Sequence, residues 1–312
     1  MSILVAGSLA YDYIMNFPDS FKNHILPEYI HILNVSFIVD RLQKNLGGTA
    51  GNIAYTMKLL GADPLILSPI GSDAQDYIGH CTRHGISTKY IKKHSDLLTA
   101  SAHITTDKDD NQITAFYPGA LVDDSVTVAD ITEHIELAIL SPTKKEVTLK
   151  HAKECAERAI PIVFDPGQQV TAFTPQELMR TIGQAKYLVG NDYEIKLLEE
   201  KTGWNTEELL HHVEVVIITF GEKGSAVITK AGREDITSCP VLSVEDPTGA
   251  GDAYRAGFFA ALTQGKSLRV CGQVGSVAAS FAIEHYGTQK HAFTPDEFCN
   301  RYKHTYNEPY TF

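Results

Sequence analysis

The amino-acid sequence predicts a three-layer α/β/α sandwich on a mostly parallel sheet, with a small β-sheet lid beside it. Three observations carry this expectation. Short β-rich apolar segments (residues 3–7, 64–70, 138–140, 161–164, 187–189, 215–219 and 226–229) alternate with longer helical patterns, the rhythm of a parallel sheet covered by helices on both faces. Two stretches, residues 11–37 and 99–117, break that rhythm. A chain of 312 residues is long enough for one large α/β domain, and nothing in it reads as an internal repeat or a linker between beads.

In order along the chain, residues 3–7 have no basic stretch before them, and Asp12 follows soon after. A buried first strand is expected rather than a secretory signal, and with it a cytoplasmic protein. Residues 11–37 read as extended, aromatic-rich chain, and Gly47-Gly48 as a turn before a helix over 52–60. Residues 99–117 read as two strands around Asp107-Lys108-Asp109-Asp110-Asn111. Both irregular stretches leave and rejoin the larger unit near Gly7 and Gly119, which suggests one small sheet over the edge of the main one. The large domain is then residues 1–10, 45–98 and 120–312, and the lid residues 11–44 and 99–119. Thr174-Pro175-Gln176-Glu177 and Thr294-Pro295-Asp296-Glu297 each place a Thr cap, Pro at the first helical position and Glu three residues after the cap.

Composition narrows the function. A net charge of −11 disfavours nucleic acid or anionic membrane as the main partner. The densest apolar run, residues 213–220, carries Glu214 and falls far short of the roughly 18 residues of a membrane span. Cys81, Cys155, Cys239, Cys271 and Cys299 are scattered without a C-x-x-C pair, as expected of reduced, mostly buried thiols. No H-E-x-x-H occurs, and Cys81-Thr82-Arg83-His84 is an isolated near-miss for a metal site.

The chemical signal lies in Asp246-Pro247-Thr248-Gly249-Ala250-Gly251-Asp252-Ala253-Tyr254, a Gly-rich loop opening a helix over 255–262. Small residues let backbone N–H groups converge at a helix N-terminus, where an anion such as a transferring phosphoryl group is favoured. A carboxylate there would repel phosphate unless it had its own task, and taking a proton from an attacking hydroxyl is one. The same residues also suit a plain turn in which Asp252 stabilises the helix dipole. A dinucleotide loop is disfavoured, because G-x-G-x-x-G from Gly249 needs Gly where Tyr254 stands. Ala260 to Ser267 mimics a P-loop but ends a helical run instead of opening one, so Gly265 reads as a helix stop.

Together with three further motifs, this loop resembles the signatures of the ribokinase-like (PfkB) kinases of sugars and nucleosides. Gly47-Gly48-Thr49-Ala50-Gly51-Asn52 is similar to the family's first signature, Asn191-Asp192-Tyr193-Glu194 to its N-x-x-E motif, and Thr219-Phe220-Gly221-Glu222-Lys223-Gly224 to its nucleotide loop. The resemblance implies ATP as donor, Asp252 as catalytic base, and Gly249, Ala250 and Gly251 as the anion hole. By the same resemblance Asp12, Gly47, Gly48 and Asn52 hold the sugar, and Asn191, Thr219, Gly221 and Gly224 contact ATP with Gly249 and Gly251. Asn191 and Glu194 would organise Mg²⁺ largely through water, and an ordinary helix cap is the alternative for that pair. Asp246 resembles a ligand of K⁺ in the potassium-activated members.

The lid holds few cations, Lys22, Arg41 and Lys108 among them, so a neutral acceptor is expected over a sugar phosphate. Residues 111–120, 24–27 and 34–37 resemble the bacterial and archaeal nucleoside kinases of the family, which implies a purine nucleoside, adenosine first, phosphorylated at its 5′-hydroxyl. Phe116 or Phe37 could wall the base, and lid-core packing is the alternative for both rings. Two other readings stand: a kinase of a neutral sugar such as ribose or fructose, and a nucleotide-binding regulator without catalysis. No nucleic-acid or membrane partner is expected, and the chain is either a monomer or a dimer joined through its lids.

Overall fold

The computed structural model describes residues 2–32, 34–109 and 111–312. Met1 and two positions of the expected lid, Leu33 and Asp110, lie outside the described residues. The strands are β1 (Ser2–Ala6), β2 (Ala10–Asn16), β3 (Arg41–Gly47), β4 (Asp63–Ile70), β5 (Ile91–Lys93), β6 (Ala100–Thr106) and β7 (Gln112–Tyr117). They continue with β8 (Ile135–Leu140), β9 (Ile162–Phe164), β10 (Tyr187–Asn191), β11 (Val215–Thr219), β12 (Ser225–Thr229) and β13 (Gly232–Ile236). The helices are α1 (Thr49–Leu59), α2 (Gln75–Arg83), α3 (Lys145–Glu157), α4 (Pro175–Ile182), α5 (Asp192–Thr202), α6 (Thr206–Leu209), α7 (Ala250–Thr263), α8 (Leu268–Ile283) and α9 (Pro295–Tyr306). Among the described residues no helix is long and apolar enough to cross a membrane.

A nine-stranded sheet runs β13-β12-β11-β10-β9-β8-β1-β4-β5. Strands β5 through β11 in that order pair in parallel, and β12 and β13 form an antiparallel edge. The apolar runs are continuous because both faces are buried. In β1, Ile3 and Val5 join the core under α1, α2, α7, α8 and α9, while Leu4 and Ala6 join the one under α3, α4 and α5. This is the expected three-layer sandwich. Chain order reverses beside β1, with β4 on one side and β8 on the other, so a crevice opens where parallel sheets take ligands.

The smaller sheet runs β3-β2-β6-β7. Its first part departs from the expected extended chain: only β2 falls within residues 11–37, followed by short 3₁₀ turns at Phe21–Asn23 and Pro27–Ile32, and β3 starts at Arg41. The cause is an aromatic knot that folds the segment back, with Phe17, Phe21 and Phe37 ring centroids 4.7–5.6 Å apart. Phe37 therefore packs within the lid, against Phe17 and Phe21. Asp107 ties the knot to the β6–β7 turn, since its carboxylate accepts the amides of Phe21, Asp109 and Asn111.

Strand register sets what the lid presents. Asp12 pairs with Asn45 on one side and Ala102 on the other, and Ala102 pairs with Phe116. Paired residues show the same face, so Asn45, Asp12, Ala102 and Phe116 form one row. Tyr11, Ser101 and Tyr117 form a row on the opposite face. There Tyr11 packs on Tyr77 of α2 and donates to the Asp73 carbonyl.

Candidate active site

At the carboxyl edge of the large sheet lies a cavity of about 820 Å³. Its lining joins Asp165 after β9, Asn191 and Glu194 at the β10–α5 junction, Thr219 and Gly221 after β11, and Gly249, Gly251, Asp252 and Arg255 at the start of α7. Five of its side chains carry charge, and four of these are acidic: Asp165, Asp192, Glu194 and Asp252 stand against Arg255.

The start of α7 is built by its glycines. Gly249 has φ +80°, and a Cβ on it would sit 2.8 Å from the Thr288 methyl carbon, so a side chain there is both strained and crowded. Ala253 donates to the Gly249 carbonyl at 2.9 Å and closes the first turn. The Ala250 amide donates to the Pro247 carbonyl at 3.2 Å, because the Pro247 turn brings that oxygen within reach. Among the described residues, the amides of Gly249, Gly251 and Asp252 carry no intramolecular partner.

Asp252 itself is held by Asn52 of α1, whose Nδ2 donates to its Oδ2 at 2.8 Å. Burial pushes the Asp252 carboxyl up to about 7; Asn52 and Arg255 pull it down, and Asp165 and Asp12 push it further up. Asn52 was expected to hold a sugar. Its Oδ1 is already taken by the Thr288 hydroxyl at 2.8 Å and the Gln289 amide at 3.0 Å, so it has one free N–H to offer a ligand.

The sugar-side residues adjoin this point from the lid. Asp12 lies against Gly47, where a Cβ would meet its Oδ2 at 2.2 Å, and Gly48 turns with φ +86° under the Ser8 carbonyl. Burial raises the Asp12 carboxyl to about 6, helped by Asp246. Sequence reasoning missed Asn45, the neighbour of Asp12 across the strands, whose buried Nδ2 has no partner. Phe116, at the far end of the same row, is 58% exposed. Gly224 does not line the cavity; its φ of +92°, and the Ile236 carbonyl oxygen 2.0 Å from where a Cβ would stand, mark it as a hairpin requirement.

Asn191 and Glu194 realise the helix-cap reading in full. The Asn191 oxygen accepts from the Glu194 amide at 2.7 Å, and Glu194 Oε2 accepts from the Asn191 amide at 2.9 Å. That leaves Glu194 Oε1 and the Asn191 side-chain NH₂ for the cavity, an oxygen for a hard cation and a donor for phosphate. No group of three or more acidic, His or Cys side chains that could cage a metal exists among the described residues. This donor set fits Mg²⁺, which keeps waters and substrate oxygens as ligands. Asp246 accepts the Thr248 amide at 2.9 Å and the Gly287 amide at 3.1 Å, one on each oxygen.

Arg255 also escaped the sequence analysis. Its Nη2 donates to Asp165 Oδ1 at 2.7 Å and its Nε stands 2.5 Å from Asp165 Oδ2 as an ion pair, while Nη1 donates to the Gly251 carbonyl at 3.0 Å and Nη2 lies 3.7 Å from Glu194. It therefore braces three elements around the cavity. Asp165 is 90 residues away in the chain, so spacing gave no signal for the pair.

Comparison with known proteins follows the same lines. Residues 8–295 match the pfkB family of carbohydrate kinases. The nucleoside kinase of Burkholderia thailandensis in complex with inosine superposes with a TM-score of 0.90 at 37% identity, over 99% of this chain and 100% of that one. Its complex with ADP-inosine gives 0.86 at 38% identity, over 99% and 98%. The nucleoside kinase of Methanocaldococcus jannaschii is 31% identical over 304 residues, 96% of each chain. Ribokinase of Bacillus subtilis is 28% identical over 256 residues, 78% of this chain and 83% of its own.

Proposed function

The chain belongs to the pfkB family of carbohydrate kinases, and we propose that it transfers the γ-phosphoryl group of ATP to the 5′-hydroxyl of a purine nucleoside, adenosine first among acceptors. The observation that carries this reading is the Asp252 carboxylate, held by Asn52 beside the unpartnered amides at the start of α7. A carboxyl near 7 suits a general base at neutral pH.

In the reaction Asp252 accepts the proton of the 5′-hydroxyl as its oxygen bonds to the γ-phosphorus. The bond from that phosphorus to the β–γ bridging oxygen breaks, and ADP leaves. The Gly249, Gly251 and Asp252 amides, aided by the helix dipole, receive the charge that gathers on the transferring group. Glu194 and Asn191 would hold Mg²⁺ largely through water, and its charge would offset part of that of the triphosphate. Thr219 and Gly221 bound the nucleotide side of the cavity, and Asp246, held by the Thr248 and Gly287 amides, would help hold a monovalent cation where one binds.

The lid supplies the acceptor site. Asp12 binds the ribose diol, with the Gly47-Gly48 backbone and Asn45 beside it. Phe116 stands two strand spacings from Asp12, about 10 Å between backbones, on the same face. That supports a sugar at one end and a flat base at the other. Lys22 and Lys108 are spent on Asp109 and Asp19 at 3.1 Å each, which favours an uncharged acceptor. The similarity to nucleoside kinases, one of them solved with inosine, supports the same choice.

A neutral sugar is the second reading, supported by the similarity to ribokinase. Initial rates with ATP against adenosine, inosine, guanosine, cytidine, ribose, fructose and fructose 6-phosphate decide between them. The proposal expects purine nucleosides to give the highest kcat/KM; a preference for ribose or fructose overturns the nucleoside, and no transfer to any acceptor overturns the kinase.

A further inference from the structure

Gln289 belongs to none of the motifs above, yet it is 4% exposed and sits one residue past Thr288 in the turn after α8. Its Nε2 lies 3.0 Å from Asn52 Oδ1 and 2.8 Å from the Tyr77 hydroxyl. An amide nitrogen carries two hydrogens, so both bonds form together. Tyr77 passes its own proton to the Gly47 carbonyl at 2.7 Å, which frees its oxygen to accept from Gln289. Every donor in this relay meets an acceptor.

The consequence falls on Asn52. The two ends of its amide have nearly the same shape and opposite chemistry. Turned over, it would aim Oδ1 at the Asp252 carboxylate and Nδ2 at the Gln289 NH₂, two like contacts in a buried place. The Thr288 hydroxyl has one proton and two acceptors in reach, Asn52 Oδ1 at 2.8 Å and the Leu46 carbonyl at 2.9 Å. Gln289 is thus the donor whose second hydrogen is free for Asn52 alone.

We infer that Gln289 is a positioning residue for the reaction: it fixes the Asn52 amide so that Nδ2 points at Asp252, and through Tyr77 it ties the Gly47-Gly48 loop to the same point. The inference rests on the reading of Asp252 as the base. The groups facing Asp252 are Arg255 on its own helix, Asp165 after β9, Asp12 on β2 and Asn52 on α1. Gln289 is neutral, so replacing it by an apolar residue changes hydrogen bonding and leaves those charges in place.

The test is the pH profile of kcat for wild type, Gln289→Leu, Asn52→Leu and the double variant, with ATP affinity measured alongside. Each single variant is expected to lower kcat at pH 7 by about 10–100-fold, the worth of one hydrogen bond to a charged group. Each is also expected to move the acid limb to higher pH while ATP affinity holds. Because Gln289 reaches Asp252 through Asn52, the double variant should shift the acid limb no further than Asn52→Leu does. A normal profile in Gln289→Leu, or acid-limb shifts that add in the double variant, overturns the inference. If Gln289→Leu does not fold, Gln289→Met, which keeps the length without the donors, carries the same comparison. Asp252→Asn separates the two claims: full activity there sinks the base itself, whereas an inactive Asp252→Asn beside a normal Gln289→Leu sinks only the positioning role.

Discussion

Burial raises the Asp252 carboxyl at the start of α7 to about 7 and the Asp12 carboxyl of the lid to about 6, both above the ordinary value of 3.8. A base must be ionised to act, so kcat is expected to rise with pH through about 7; a flat profile from pH 5 to 9 would contradict it. The stability effect has the opposite sign. A group whose folded pKa is raised contributes stability that is complete below its unfolded pKa and is lost as pH rises through the folded value. These two residues therefore favour the fold fully below about pH 4 and lose that contribution by about pH 8. Asp252→Asn keeps the shape and removes the charge, so its Tm should exceed that of wild type at pH 8 and match it near pH 5. A lower Tm at pH 8, measured by calorimetry, would show that the ionised carboxylate is instead needed by the fold.

Two elements hold the chemistry, the start of α7 and the inner row of the lid, and they differ in how far the sequence exposes them. The α7 loop is legible because its glycines answer to local backbone needs, and its helix follows at once. A Cβ at Gly251 would meet the Arg255 Nη1 at 2.8 Å, and a β-branched side chain there also stiffens the loop. Gly251→Val is expected to lower kcat by at least about 10²-fold, the worth of an oxyanion donor, and turnover at the wild-type rate would move the phosphate site elsewhere. The lid was harder to read. Arg41-Leu42-Gln43-Lys44 lacks the β-branched and aromatic residues that mark strands, and Gly232-Arg233-Glu234-Asp235 at the sheet edge is almost wholly exposed. Nor could the sequence orient Phe116 against Tyr117; the pairing of Ala102 with both Asp12 and Phe116 did that. Phe116→Ala should weaken adenosine binding by about 1–3 kcal/mol, the range of base–aromatic stacking, and leave any transfer to free ribose unchanged. An equal loss on both substrates makes the ring structural.

At the scale of the whole molecule, the site is a meeting of distant segments. Asp252 takes its partner from 200 residues earlier, and Asn52 takes its own from 236 and 237 residues later. Such contacts leave no trace in local patterning, which is why the tie from Asn52 to Asp252 and the Arg255 brace were not legible in the sequence. Their sum is an acidic cleft, with Asp165, Asp192, Glu194 and Asp252 facing Arg255 across the cavity. A triphosphate entering it needs a cation of its own, so chelating divalent ions should abolish transfer and added Mg²⁺ restore it; activity in excess EDTA would argue against that site. The most direct test of the account is single-turnover transfer from ATP to adenosine by wild type and Asp252→Asn, with nucleotide affinity measured in parallel. A 5′-phosphorylated product, a rate lower by about 10²–10⁴-fold in the variant, and equal affinity for ATP are expected. Transfer at the wild-type rate by Asp252→Asn, with ATP bound equally well, would contradict that expectation.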